Sequence, residues 1–158
     1  MQFRLTAFVL VALALLATPA HADITLFTGS ASSPSNRQTK GAALGMTLLV
    51  VGFEFEYATV NDDPVTGAPR VRTGMANAFV QPPMAFMGIR PYATTGIGIY
   101  QEQLPGATTR SGAFNSGGGV KVSLVGPLRA RLDYRVFKLR NSSTSLFHRV
   151  YVGANLSF

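Results

Sequence analysis

Beyond residue 22, apolar and polar residues alternate at period two in short runs, which is the pattern of β-strands with two different faces. Clusters rich in Gly, Pro, Asn, Ser and Asp separate the runs, and none of the runs keeps a 3.6-residue period. We therefore expect an all-β chain with eight antiparallel strands. Their predicted positions are about 23–29, 38–48, 51–60, 71–80, 85–102, 112–124, 127–138 and 147–158.

The connections between the predicted strands alternate between long and short. The long connections lie at 30–37, 61–70, 103–112 and 139–147, and the short ones at 49–52, 81–84 and 125–127. Transmembrane β-barrels have long outer loops and short periplasmic turns. The alternation therefore predicts an up-and-down transmembrane β-barrel rather than a soluble meander.

The two faces of a predicted strand differ in chemistry. In 51–60, Phe53 and Phe55 alternate with Glu54 and Glu56. The strand 127–138 presents Leu128, Ala130, Leu132, Tyr134 and Val136 on one face and Arg129, Arg131, Asp133 and Arg135 on the other. In 71–80 the alternation is ambiguous, and its faces are not assigned.

The polar face is predicted to line the barrel interior. It is rich in Gly, Ser and Ala, which suit a narrow barrel, and it carries both charge signs, which can pair in a confined space. The predicted lumen charge network consists of Glu54, Glu56, Lys121, Arg129, Arg131, Asp133 and Arg135. The alternative is an ordinary amphipathic sheet whose charged face is in solvent.

The first 22 residues are predicted to be a cleaved secretory signal peptide. Arg4 precedes an uncharged apolar run from Leu5 to Ala17, and Pro19 and the small-residue site Ala20-His21-Ala22 follow it. As a helix the run would span roughly 20 Å, less than the ~30 Å hydrocarbon core of a bilayer. Cleavage before Asp23 would leave 23–158 as one barrel domain. The alternative is an N-terminal membrane anchor.

Composition narrows the possible chemistry. The sequence has no Cys, which excludes a disulfide framework, a thiolate zinc site and cysteine catalysis. Only two His residues occur, and one lies in the predicted signal peptide. We therefore expect no metal, no cofactor and no enzymatic activity. The 14 Lys and Arg exceed the 7 Asp and Glu, but for an exported chain without a nucleic-acid-binding fold we expect no nucleic acid partner.

The last strand carries a recognisable motif. Tyr151, Gly153, Leu156 and Phe158 occupy the four defined positions of the C-terminal insertion signal of bacterial outer-membrane proteins. Three further segments resemble strands of these barrels: Arg90-Pro91-Tyr92 with Gly96 to Tyr100, Gly117 to Lys121, and Leu132 to Arg135. Nearly all of 23–158 is similar to the small OmpA-like and OmpX-like outer-membrane β-barrels.

The resemblance implies a monomeric eight-stranded barrel in the bacterial outer membrane, inserted by the barrel-assembly machinery through its C-terminal strand. The interior of an eight-stranded barrel is just wide enough for its own side chains. We therefore expect an Arg/Glu network to plug the lumen. The alternative for this interior is a narrow or gated permeation path.

Basic residues map to the long-loop end of the barrel. They are Arg37, Lys40, Arg70, Arg72, Arg110, Lys138, Arg140 and Arg149, opposed by Asp62, Asp63 and Glu102. All but Arg149 are assigned to contact with lipopolysaccharide, because Arg and Lys pair with phosphate groups through charge-assisted hydrogen bonds.

The expected function is therefore a structural, surface-binding or minor-permeation role in the outer membrane. A soluble periplasmic β-barrel that binds an apolar ligand inside is the main alternative. A third possibility is a lipid-modifying surface enzyme that uses His148 near Ser142, Ser143 and Ser145. The lipid A deacylase barrels carry a His-x-Ser-Asn motif, however, and this chain reads His148-Arg149-Val150-Tyr151.

Overall fold

The computed structural model describes residues 21–104, 106–142 and 145–158. They form eight strands that close into an antiparallel barrel in sequence order, which confirms the predicted fold class. The strands are β1 (His21–Ser32), β2 (Arg37–Leu48), β3 (Val51–Val60), β4 (Arg70–Val80), β5 (Ile89–Leu104), β6 (Ala107–Val125), β7 (Leu128–Leu139) and β8 (Leu146–Ser157). Most of the predicted signal peptide, residues 1–20, lies outside the described residues. His21 and Ala22 begin β1.

The barrel closes between its first and last strands. β1 pairs with β8 from Asp23 opposite Ser157 to Ser32 opposite His148. Beyond this ladder, Ala22 and Phe158 exchange two backbone hydrogen bonds of 2.9 Å. Because each described strand has two neighbours, none of them presents a free edge to another chain.

The barrel has two ends with different connections. The loop end carries the connections 33–36, 61–69, 105–106 and 140–145, and the turn end carries 49–50, 81–88 and 126–127. None of the residues in 21–104, 106–142 and 145–158 forms a helix of the length and apolar character needed to span a bilayer.

The charged residues of β3 point inward and its aromatic residues point outward, as the alternation in its sequence predicts. Phe53 and Phe55 are 49% and 70% exposed on the outer face, whereas Glu54 and Glu56 are buried in the interior. β4 departs from this rule, because it turns Val71, Met75 and Phe79 inward. The apolar inner face of β4 explains why its sequence pattern is ambiguous.

Two predicted connections are wrong. The segment 103–112 continues the β5–β6 hairpin, with Leu104 paired to Ala107 and Gly106 in the turn at φ 79°. A hairpin that projects beyond a barrel can be polar on both faces, so its composition resembles that of a loop. At the turn end β5 begins at Ile89 instead of 85, because Met87 and Gly88 adopt positive φ angles of 50° and 78°. The connection 81–88 is therefore long, and the strict alternation of loop lengths is broken.

Candidate functional site

Opposite walls of the barrel supply an ion-pair network. Glu54 on β3 faces Arg131 and Arg135 on β7, four strands away around the closed sheet. Arg131 Nη1 donates a hydrogen bond to Glu54 Oε2, and Arg135 Nη2 donates to Glu54 Oε1 at 3.0 Å. Since each of these side chains is buried, the network links the two walls through the centre of the lumen.

Asp133 lies between the two arginines on the same face of β7. Its carboxylate accepts hydrogen bonds from Arg135 Nε at 2.9 Å and from Arg131 Nη2 at 3.2 Å. Tyr92 extends this arrangement, because its hydroxyl donates to Asp133 and accepts a 2.7 Å hydrogen bond from Arg131 Nε. Period-two spacing thus places three consecutive inward residues of β7 in one network.

Arg149 on β8 completes the network and is misplaced by the sequence analysis, which put it at the loop end. It is 1% exposed, and its Nη2 donates to Glu56 Oε1 at 2.6 Å. Its guanidinium carbon lies 4.6 Å from the centroid of the Phe137 ring and 5.2 Å from that of Tyr151. The parity of β8, which puts Arg149 on the face of Tyr151, was the signal for its inward position.

The charges of this network balance. Its ion pairs join three guanidinium groups, those of Arg131, Arg135 and Arg149, to three carboxylates, those of Glu54, Glu56 and Asp133. Arg135 also contacts Glu56, at 3.0 Å between Nη1 and Oε2. A neutral, multiply bonded cluster offsets the large cost of removing each ion from water.

Two of the predicted network residues lie elsewhere. Lys121 forms a separate ion pair with Asp23, 3.2 Å from Nζ to Oδ2, and its Nζ is 4.9 Å from the centroid of the Phe79 ring. Arg129 is half-buried at the turn end, where it lines a cavity with Arg90. Among the described side chains, Arg129 shares no ion pair with the central carboxylates.

Uncharged amides add a layer that the sequence analysis missed. Asn115 Nδ2 donates to Asn77 Oδ1 at 2.8 Å, and Asn77 Nδ2 reaches Glu54 Oε1 at 3.4 Å. On the other side, Asn155 Nδ2 donates to Thr25 Oγ1 at 2.8 Å. Asn77 lies on the strand whose faces could not be assigned, so no pattern marked it as an interior residue.

Between the network and the loop end lies a buried apolar cluster, which we call the apolar cap. It consists of Ala31, Val60, Val71, Met75, Tyr100, Ala113, Phe137, Leu139 and Phe147. The rings of Phe137 and Phe147 stack with centroids 4.8 Å apart. The hydroxyl of Tyr100 donates to the Arg140 carbonyl at 2.6 Å and so ties the cap to the loop 140–145.

The predicted lipopolysaccharide contacts divide into several groups. Arg37 is wrongly placed at the surface: it is 4% exposed and donates to the Pro69 carbonyl at 2.6 Å, inside the barrel mouth. Arg70 pairs with Asp62 at the rim, 3.1 Å apart. Lys40, Arg72, Arg110 and Lys138 lie on the outer faces of their strands, and Arg140 is exposed in a loop.

Two loops are joined at the mouth through Asp63. Its carboxylate accepts hydrogen bonds from Ser35 Oγ at 2.7 Å, from Thr66 Oγ1 at 2.8 Å and from the Val65 amide at 3.0 Å. The Ser35 and Thr66 hydroxyls hold the pKa of Asp63 below its usual value, because they stabilise the charged carboxylate.

No family model and no curated protein matches the sequence. Solved structures do match the fold. Neisserial surface protein A superimposes with a TM-score of 0.69 at 14% identity, covering 89% of this chain and 98% of that one. The N-terminal β-barrel domain of Pseudomonas aeruginosa OprF gives 0.64 at 16% identity, covering 86% and 97%. The outer membrane enzyme PagL gives 0.55 at 11% identity, covering 85% and 98%.

The chain has the fold of the small eight-stranded outer-membrane β-barrels. On this fold the residues of the C-terminal motif are divided between the two faces of β8. Tyr151 is buried and its ring stacks on Phe27 with centroids 4.1 Å apart. Gly153 is also directed inward, whereas Leu156 and Phe158 are exposed on the outer face.

The candidate catalytic histidine lies on the outside of this outer-membrane barrel fold. The ring of His148 stacks on Tyr134, and its Nδ1 is 2.8 Å from the Tyr134 hydroxyl. Ser142 Oγ donates to Glu102 at 3.2 Å, while Ser143 lies outside the described residues. Within the described part of the chain, no group of three or more metal-binding side chains is close enough to hold an ion.

Proposed function

We propose that this protein is an integral outer-membrane β-barrel with a closed lumen, whose role is structural and surface-binding rather than that of a general porin. The observation that carries the proposal is the neutral network at the centre of the barrel. Arg131, Arg135 and Arg149 are each no more than 1% exposed and are ion-paired to carboxylates.

The outer surface supports a membrane location. Large apolar side chains are exposed on all sides of the barrel, including Leu26, Leu44, Phe55, Ile97, Ile99, Leu132 and Val152. Exposed apolar patches of this extent are rare on monomeric soluble proteins. The same surface counts against a soluble periplasmic barrel, in which the apolar faces would point inward around a ligand.

The interior supports closure of the lumen. The network joins the β3 and β7 walls, and the apolar cap packs above it toward the loop end. An ion that crossed the barrel would have to separate buried pairs, which leaves uncompensated charges in a medium of low polarity. A minor-permeation role would therefore require a rearrangement of the network.

Planar-bilayer recording tests closure. The wild-type barrel is expected to give no steady conductance steps, and a variant with both Glu54→Ala and Arg131→Ala is expected to conduct if it stays folded. Folding is checked by a boiling-dependent mobility shift on a denaturing gel. A steady channel from the wild-type protein would contradict the proposal and favour the permeation role.

The outer face is proposed to contact anionic lipopolysaccharide. Lys40, Arg72 and Arg110 occupy outward positions on β2, β4 and β6, where their charges can pair with lipid phosphates. We further propose a monomer that is inserted through β8 by the barrel-assembly machinery and that binds no nucleic acid.

The proposal includes no catalytic activity and no cofactor. His148 contacts Tyr134, and the hydroxyl of Ser142 contacts Glu102, so neither contact forms a serine–histidine pair. Mass spectra of lipid A from cells that express the wild-type protein or His148→Ala are expected to be identical. A lipid change that depends on His148 would establish an enzyme.

A further inference from the structure

A groove runs along the outer face of β4. Its floor is formed by Gly74 and Ala76, which are in register with large residues on both neighbouring strands. Gly74 lies between Tyr57 and Ile99, and Ala76 lies between Phe55 and Ile97. Because each small residue is flanked by two large ones, the outer surface is indented along the strand.

The indentation consists of two adjoining cavities. The one nearer the turn end has a volume of about 560 Å³ and is lined mainly by apolar residues of β2 to β5. Glu56 is also among its lining residues, but the Glu56 carboxylate is directed away from the groove and is ion-paired in the interior. The second, of about 320 Å³, extends the groove toward the loop end. The two share Tyr57, Gly74 and Ile99, so they form one continuous groove.

The barrel itself does not require a glycine at position 74. A Cβ atom there would meet only Ile99 Cγ1, at an ordinary 4.0 Å, and the backbone does not adopt a positive φ angle. Gly98 on the next strand is different, because its Cβ would come within 2.0 Å of the Gly74 carbonyl oxygen. The missing side chain at Gly74 opens the groove without serving the packing of the strands.

Two cations stand at the loop-side end of the groove. Arg72 on β4 and Arg110 on β6 both pair in register with Gln101 of β5, and all three residues line the second cavity. No acidic side chain lines this cavity among the described residues. From Arg72 to Ala76 the strand rises about 13 Å, so the groove has a cationic head and an apolar body.

We propose that this groove binds one acyl chain of a phosphorylated lipid of the lipid A class, with a lipid phosphate between Arg72 and Arg110. The inference rests on the proposed membrane location of the outer face. Guanidinium groups form bidentate charge-assisted hydrogen bonds with phosphate, which match such a headgroup. A second copy of the chain fits less well, because a two-fold interface here would set Arg72 and Arg110 against the same residues of the other copy.

Native mass spectrometry of the barrel released from detergent micelles tests the site, with bisphosphorylated lipid A as the probe. The wild-type protein is expected to retain one lipid A. Gly74→Val fills the groove, and Arg72→Gln removes one of the two guanidinium groups that hold the phosphate. Each substitution is expected to weaken the binding of lipid A by about tenfold or more.

Matched controls separate the groove from general effects. Gly112 on β6 pairs with Ile99 from the side opposite to Gly74, and a Cβ atom at Gly112 would meet nothing within 4 Å. Gly112→Val therefore adds the same side chain to the outer face without filling the groove. Arg70→Gln removes an equal charge from β4, at a residue already paired with Asp62. Both control variants are expected to bind lipid A as the wild type does, and all four are expected to keep the boiling-dependent mobility shift.

Equal binding by Gly74→Val and Gly112→Val would overturn the groove while leaving the closed barrel and a diffuse lipopolysaccharide contact intact. Displacement of lipid A by millimolar inorganic phosphate alone would overturn the acyl part of the proposal. A dimer that Gly74→Val abolishes would show that the groove holds a second copy. A conducting wild-type barrel that still binds lipid A through Gly74 and Arg72 would refute only the closed lumen.

Discussion

Glu54 on β3 and Arg135 on β7 meet across the centre of the barrel, with Arg135 Nη2 and Glu54 Oε1 3.0 Å apart. They are 81 residues apart in sequence, and both side chains are nearly inaccessible to solvent. This single contact connects opposite walls, so it reports on both the folding of the barrel and the closure of its lumen.

The ion-pair network predicts that neutralising a buried carboxylate lowers the free energy of unfolding far more than neutralising an exposed one. Glu54→Gln removes a charge that faces Arg131 and Arg135 in the interior, and we expect a loss of about 3 kcal/mol or more in the free energy of unfolding. Asp62→Asn breaks the exposed pair with Arg70, and we expect a loss of about 1 kcal/mol or less. Urea titration in lipid vesicles, read by the gel mobility shift, measures both values. Equal effects would contradict the role assigned to the network.

Inward glycines are expected to be far less tolerant than outward ones. A Cβ at Gly119 would lie 2.1 Å from the Leu132 carbonyl oxygen and 2.7 Å from the Tyr92 hydroxyl. Gly119→Ala should therefore cost about 1–3 kcal/mol of stability through overpacking. Gly112→Ala should change stability by no more than about 0.5 kcal/mol, since its outer face is open. A Gly119→Ala variant as stable as the wild type would show that the interior around Gly119 has room for a Cβ atom.

Asp63 predicts a pH-dependent loop contact. The pKa of Asp63 is lowered in the folded protein. The charged carboxylate therefore stabilises the loop contact fully above the ordinary carboxyl pKa of about 4, and this stabilisation is lost as the pH falls through the lowered pKa of the folded protein. We therefore expect the Val65 amide to lose its protection from hydrogen exchange under acidic conditions. Asp63→Asn should remove this pH dependence. Unchanged protection of the wild-type amide down to complete protonation would refute the contact.

The strands with strict alternation revealed most of the site in advance. Glu54 and Glu56 alternate with aromatic residues in β3, and Arg131 and Arg135 alternate with apolar residues in β7, so parity puts each pair on one face of its strand. The small residues and the mixed charges of that face then predict that it lies in the interior. Lys121 and Arg129 share that parity but lie at other heights in the barrel. Height depends on strand tilt and register, which the alternation within one strand does not encode.

Other residues were misplaced because tertiary contacts determine their positions. Arg37 follows a Ser-rich loop and looks exposed, yet it turns into the mouth to reach the Pro69 carbonyl. Arg149 lies close to a loop in sequence, which predicts a place among the loop cations, yet its side chain turns inward to reach Glu56. The apolar cap has no local sequence pattern, because its residues come from the loop-side parts of seven different strands.

Fluorescence quenching shows whether the apolar outer face of the barrel contacts lipid. The chain has no Cys, so a single Ile97→Cys variant can carry one fluorophore on that face, with Thr66→Cys as a loop control. After refolding into vesicles with brominated acyl chains, we predict strong quenching of the probe at 97 and little at 66. A probe at 97 that stays bright and accessible to aqueous quenchers would show that this face is in water and would favour a soluble barrel.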